Sequence, residues 1–291
     1  MNLRHSLSLT VSSVTLILKV LLYTTVLFLI AFALFMAITE PIIESFGSEF
    51  DMIAELQEDF SAMLQRGDNG PLQNFISSNS DELARTVILY ILLFLLIRFG
   101  VAFSLIPTAF VLYNKMSTGF NQGFINATVA TGGKAALYAL TYAAITVPMD
   151  LIILIIGYYF VGFLVGTIGT VGLAIGTLCT MALAAFRLSL TAGWAPEMIA
   201  ENLKFSVSVK RFFANFNWNY VKEIYPSILM MFITVTGIVA TTAVPTIGII
   251  PIFVLPCCFV WYTAISAVGY FNCKKRKYYI DERVIDPNDR F

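Results

Sequence analysis

The sequence predicts an all-α fold: a polytopic transmembrane helix bundle of six spans with a short amphipathic helical segment outside the membrane. Three observations carry that expectation. The chain has 291 residues, of which 58% are hydrophobic and only 12% charged, against about 25% charged in soluble domains. Its mean hydropathy is +0.81. Its apolar residues also fall in runs long enough to cross a bilayer, whose hydrocarbon of about 30 Å takes about 20 residues of helix.

Taken in order, the spans are about 14–38, 86–113, 136–164, 169–194, 223–246 and 248–272, and residues 1–291 read as a single transmembrane domain. The first run, Val14 to Ile38, exceeds the apolar core of about 7–15 residues of a signal peptide and reads as a retained span. Spans three and four come from one apolar stretch that must fold back once. The turn is expected at Gly166-Thr167-Ile168-Gly169-Thr170, where glycine and threonine concentrate. Ala243-Val244-Pro245-Thr246-Ile247-Gly248 divides the last stretch, because proline removes a helix donor and clashes with the preceding turn.

Charge placement orients the bundle. Residues 40–85 form an acidic helical extracytoplasmic segment with ten carboxylates and two basic residues, Arg66 and Arg85. Lysines and arginines collect on the other side, at Arg4, Lys19, Lys115, Lys134, Lys204, Lys210, Arg211, Lys222 and the run Lys274-Lys275-Arg276-Lys277. Both termini are therefore expected in the cytoplasm. Within 40–85, Phe50, Ile53, Leu56, Phe60, Met63 and Leu64 recur at helical spacing opposite an acidic face. The segment is either a docking surface or lid, or a passive cap packed on the outer ends of the bundle. Ser80-Asp81-Glu82 reads as the cap and first turn of span two. The polar tail ending Asp286-Pro287-Asn288-Asp289-Arg290-Phe291 is expected to be disordered.

Three ionisable residues lie deep in spans: Arg98, Asp150 and Arg187. Charges at such depth face the bundle interior and pair. Counted from the inner span ends at 1.5 Å per residue, Arg98 and Asp150 are level on consecutive antiparallel helices, so an Arg98–Asp150 ion pair is expected. Arg187 lies nearer the inner end of span four, close enough to snorkel, and is a further candidate for a polar pathway. The pair either lines a cavity for an ion, proton or anionic headgroup, or is a structural tie between helices. Pro148 weighs toward the first, since proline frees a carbonyl nearby. Gly162 and Gly166, like Gly172 and Gly176, have the spacing that lets helix backbones approach closely, between spans three and four or across a homodimer face. The tryptophans Trp194, Trp218 and Trp261 read as interfacial belts.

A parallel internal repeat is suggested by Phe103, Leu105, Thr108 and Ala109, which match Phe186, Leu188, Thr191 and Ala192 at an offset of 83. The second inner segment contains Ala195-Pro196-Glu197-Met198-Ile199-Ala200-Glu201-Asn202-Leu203-Lys204-Phe205-Ser206, then Phe213-Ala214-Asn215-Phe216-Asn217-Trp218. It resembles the inner connection of six-span bacterial membrane proteins, including the membrane domain attached to some glycerophosphodiester phosphodiesterases. That resemblance covers about 25 residues and implies a membrane-embedded accessory or permease-like role in a bacterial plasma membrane. It implies no hydrolase activity, because the soluble catalytic domain is absent.

The function expected is that of a non-enzymatic integral membrane protein, a permease-like or accessory subunit handling a small molecule, a lipid or a partner protein. The alternative is a self-contained secondary transporter or channel that uses the Arg98/Asp150 pair in a polar pathway. Intramembrane enzymes need Ser/His, paired Asp or metal-binding constellations, and the chain has a single histidine, His5, outside the spans. No cofactor, metal or nucleic-acid partner is expected. The expected partners are the lipid bilayer, a protein bound through residues 40–85, and a second copy of the chain.

Overall fold

The computed structural model describes residues 2–47, 80–120, 122–214, 218–242, 249–280 and 283–289. Among them the order is α1 (Asn2–Val11), α2 (Val14–Gly47), α3 (Ser80–Thr118), α4 (Phe124–Ile168), α5 (Thr170–Ala192), α6 (Trp194–Ala200), α7 (Phe205–Ala214), α8 (Trp218–Thr242) and α9 (Ile249–Cys273). The strands β1 (Tyr278–Ile280) and β2 (Arg283–Ile285) and a 3-10 turn at Pro287–Asp289 follow. Six of these helices are long and apolar enough to cross a membrane, and the chain is an all-α integral membrane bundle.

Two compact units divide the chain, Thr25–Arg98 and the remainder, with boundaries inside α2 and α3. In the unit Thr25–Arg98, Phe35 lies 5.7 Å from Tyr90 between ring centres, and Thr39 Oγ1 is 3.0 Å from the Tyr90 hydroxyl. A threonine hydroxyl paired in this way is satisfied without water, which a lipid-facing helix needs.

The larger unit is organised around the α4–α5 hairpin, with α5 packed on α8, α8 on α9, and α1 on α9. The expected turn is present and sharp: α4 ends at Ile168 and α5 starts at Thr170. Gly169 between them takes φ 62° and ψ −138°, a conformation glycine adopts without steric cost. Immediately beyond it, a Cβ on Gly172 would fall 2.2 Å from the Leu164 carbonyl oxygen. At Gly176 a Cβ would fall 2.8 Å from Val161 Cγ2, and at Gly157 3.0 Å from Thr180 Cγ2. The close-packing reading therefore holds for Gly172 and Gly176, and Gly157 joins them. At Gly162 and Gly166 a Cβ would meet nothing within 4 Å. Those two lie on another face of α4, because residues five and nine positions from Gly157 do not share its side of a 3.6-residue turn.

The structure extends the expected elements at two places and corrects the reading of the C-terminal tail. The third helix starts at Phe124 and runs 45 residues, well before the expected 136. Its early threonines do not break it, since Thr128 and Thr131 return their hydroxyls to the carbonyls of Phe124 and Ala127. The N-terminal residues before the first span form a helix of their own, α1, with Ser6 and Leu9 fully buried. The C-terminal tail is folded rather than disordered. Tyr278 pairs with Ile285, and Ile280 with Arg283, across an antiparallel ladder. Tyr278 and Ile280 turn inward while Tyr279 between them is exposed, the period-2 alternation of a half-buried strand. The Tyr278 hydroxyl lies 2.7 Å from His5 Nδ1, so the two termini meet at one end of this unit. The amphipathic helix expected around Phe50–Leu64 and the break expected at Ala243–Gly248 lie outside the described residues. Helix α3 starts at Ser80, where the capping signal sits.

The glycine contrast can be measured directly. Gly172→Ala should lower stability by about 1–3 kcal/mol, the cost of inserting a methyl into a closed contact. Gly162→Ala should leave stability unchanged or raise it by up to about 1 kcal/mol, as alanine is the better helix former. Unfolding of the purified variants in detergent checks both.

Candidate functional site

The turn at Gly169 sets the level of every later pair on α4 and α5. Asp150 lies 19 residues before it and Arg187 lies 18 after it, so both stand about 27–28 Å from the turn at 1.5 Å per residue. The same register brings Gly157 to Thr180 and Val161 to Gly176. Arg187 Nη2 donates to Asp150 Oδ2 at 2.7 Å, and Nη1 donates to the Tyr142 hydroxyl at 3.3 Å. Its guanidinium carbon stands 5.7 Å from the centre of the Tyr142 ring. Arg187 is only 3% exposed and so does not snorkel; it is a cation paired with Asp150. Arg98 is the last residue of the separate unit Thr25–Arg98, and the Arg98–Asp150 pairing expected from the sequence is one between separately described units. Helix α4 continues through Pro148 without a break.

From this pair an aromatic column runs toward the end where the termini meet. Tyr142 stacks on Tyr138 at 5.4 Å, and Tyr138 lies 4.8 Å from Trp194. Trp194 in turn stacks on Phe212 of α7 at 4.8 Å. The Trp194 indole donates to Ser208 Oγ at 2.7 Å, and the residue is 1% exposed. Trp194 is thus a buried keystone between α4, α6 and α7 and not an interfacial belt residue. A buried indole keeps its N–H partnered, and Ser208 on the inner face of α7 provides that partner.

Beside Trp194 opens a pocket of about 410 Å³, lined among others by Gly193, Glu197, Tyr220, Tyr270, Cys273 and Lys274. Gly193 lets Tyr220 approach, since a Cβ there would sit 3.0 Å from Tyr220 Cε1. The Tyr220 hydroxyl donates to the Ser266 carbonyl at 2.9 Å, and the Cys273 thiol donates to Glu223 Oε2 at 3.4 Å. Glu197, by contrast, has no side-chain hydrogen bond or ion pair among the described residues. At the rim, Glu201 accepts from Arg211 and from the Tyr270 hydroxyl at 3.2 Å, with Lys274 Nζ at 3.8 Å. Burial works to raise the Glu201 carboxyl, yet the Arg211 hydrogen bond, Lys274 and Tyr270 together hold it below its ordinary value.

Glu197 and Glu201 fall in the inner segment that carries the resemblance, which by itself implies no role for either. The signal was present in the two acidic residues, spaced one helical turn apart within an otherwise basic segment. Among the described residues no group of three or more His, Cys, Asp and Glu side chains could hold a metal ion.

Two measurements follow from this geometry. Replacing Asp150 by leucine should cost up to about 3–5 kcal/mol, because it takes the carboxylate from a buried guanidinium, and replacing Arg187 should cost less, since Asp150 is partly exposed. The double replacement should recover much of that loss, which a double-mutant cycle in detergent would report as coupling. For Glu201 the folded carboxyl titrates below its ordinary value of 4.5. Its contribution is therefore complete above that value and is lost as pH falls through the lower, folded one. Glu201→Gln should flatten the stability profile in this acid window while leaving neutral pH dependence alone.

Comparison with models of protein families, with curated proteins and with solved structures finds no match to this chain.

Proposed function

We propose that this chain is a non-enzymatic membrane component, permease-like or an accessory subunit, that handles a small amine-bearing molecule through the pocket beside Trp194. The observation that carries the reading is the Glu197 carboxylate, which lines a pocket of about 410 Å³ without a partner among the described residues. Glu197 is half-buried, and an ammonium group offsets the cost of partly desolvating its carboxylate. Lys274 on the opposite charge sign lines the same pocket and suits a ligand that also carries an acidic group. The contact of His5 with Tyr278 supports a topology with both termini on one side. The basic residues near that end support placing it in the cytoplasm of a bacterium. An accessory role would use the acidic segment 40–85 as its docking surface. Self-association would use the open face of α4 at Gly162 and Gly166.

One observation favours the second reading, a transporter with a polar pathway. Arg187 Nε is buried and has no hydrogen-bond partner among the described residues, although buried donors in native structures are nearly always satisfied. The aromatic column joins that guanidinium to the pocket. Under this reading Asp150→Asn abolishes transport into proteoliposomes at full folding yield. Unchanged transport with lowered stability returns the pair to a structural role.

The solute reading is tested by thermal unfolding of the purified protein with a panel of amines and amino acids. A true ligand at about 100 times its Kd stabilises by about 2.7 kcal/mol. Glu197→Gln should remove that shift while leaving the unliganded melting temperature within a few degrees. A panel without any shift, or a shift that survives Glu197→Gln, rejects this pocket as the site.

A further inference from the structure

A second cavity, of about 690 Å³, opens beside α5 further from Trp194 along the helix. Helix α5 packs against both α4 and α8 and forms the floor of a groove whose walls those two helices provide. On the α4 side, Gly157 admits Thr180 so closely that a Cβ would stand 3.0 Å from Thr180 Cγ2, which sinks the floor. On the α8 side, Phe186 meets Trp218 and Tyr225 edge-on at 6.1 and 6.3 Å. The lining is almost wholly apolar, with Phe160, Cys179 and Leu183 among its residues. The Thr180 hydroxyl is already given to the Gly176 carbonyl at 2.9 Å. One charged group remains on the wall, the ammonium of Lys222, poised 5.7 Å from the Trp218 ring centre.

We propose that this groove holds an acyl chain of an anionic phospholipid whose phosphate is bound by Lys222. The charge pattern selects the occupant. Among the lining residues there is no carboxylate, so the ammonium of a zwitterionic headgroup would find no counter-charge there and would compete with Lys222 for the phosphate. A negatively charged headgroup meets only the lysine. Tryptophan at the start of a span favours the headgroup level, and Trp218 starts α8 with Lys222 one turn further in. The phosphate would thus sit at the interface while the chain runs outward along α5 toward Cys179. A partner helix fits less well, since with its side chains it is about 10–12 Å across and would rest on the walls rather than enter between them. The inference rests on Lys222 and Trp218, neither of which lines the pocket beside Trp194, although the two cavities share Val221.

Native mass spectrometry of the full-length protein tests it, with phosphatidylglycerol and phosphatidylcholine of identical chains added to delipidated samples. The first phosphatidylglycerol should be retained about fivefold better than phosphatidylcholine, the preference expected of one lysine near a lipid surface. Lys222→Gln should bring the two lipids level, and Lys222→Arg should restore the difference. Ala182→Trp, which fills the floor, should lower retention of both. Equal retention of the two lipids by the unaltered chain overturns the proposal, as does undiminished phosphatidylglycerol binding by Lys222→Gln. Should Ala182→Trp fail to fold, the two substitutions at the exposed Lys222 decide the matter alone.

Discussion

The larger unit depends on the register of one antiparallel hairpin, α4 against α5. A single glycine with positive φ makes the turn, and the next close contact, Gly172 on the Leu164 carbonyl, prevents the helices from sliding. Side chains then meet wherever their distances from Gly169 agree. Asp150 meets Arg187 for that reason, not because either residue sits at a favoured depth in the membrane. An ion pair here is a weak source of net stability, because desolvating both charges offsets most of their attraction. It is a strong source of specificity, because any other register leaves two charges in lipid. Shape and charge therefore enforce the same alignment from opposite ends of the hairpin.

The end where the termini meet is built by a different principle, in which polar groups of distant segments satisfy one another. Lys115 is buried and donates to the Ser12 carbonyl and to the hydroxyls of Ser12 and Ser13, placing its charge at the C-terminal end of α1, where a helix dipole favours cations. The Trp261 indole donates to Ser6 at 3.2 Å, and Tyr278 closes on His5. These contacts tie the N-terminal helix and the C-terminal hairpin to α9, the most buried of the membrane helices. The rim of the pocket beside Trp194 is drawn from the same end, with Lys274 following α9 and Glu201 following α6. Its charges are cross-linked by Arg211, Lys274 and Tyr270, while Glu197 lines the pocket without a side-chain hydrogen bond among the described residues.

The two cavities flanking α5 differ in the chemistry they offer. One has carboxylate, amine, phenol and thiol groups converging on a space the size of a small molecule. The other has hydrocarbon walls and one cation at its end. A membrane protein meets both solvents, and the difference in lining suits the first cavity to a polar ligand and the second to a hydrocarbon one.

The sequence by itself determined the membrane class, the number of apolar helices and the hairpin turn near Gly169. Those depend on composition, run length and local backbone freedom, which neighbours cannot override. It also marked Asp150 and Arg187 as charges that must pair, since a charge in an apolar run has few alternatives. Only the tertiary structure decided that Arg187 meets Asp150, because their alignment is set by distance from the Gly169 turn, which apolar run length does not locate closely. Burial of Trp194, the open flank at Gly162 and Gly166, and the ordered tail at Tyr278 were likewise illegible. Each depends on which segment arrives from elsewhere in the chain: α7 with Ser208, no neighbour among the described residues, or His5 from 273 residues away.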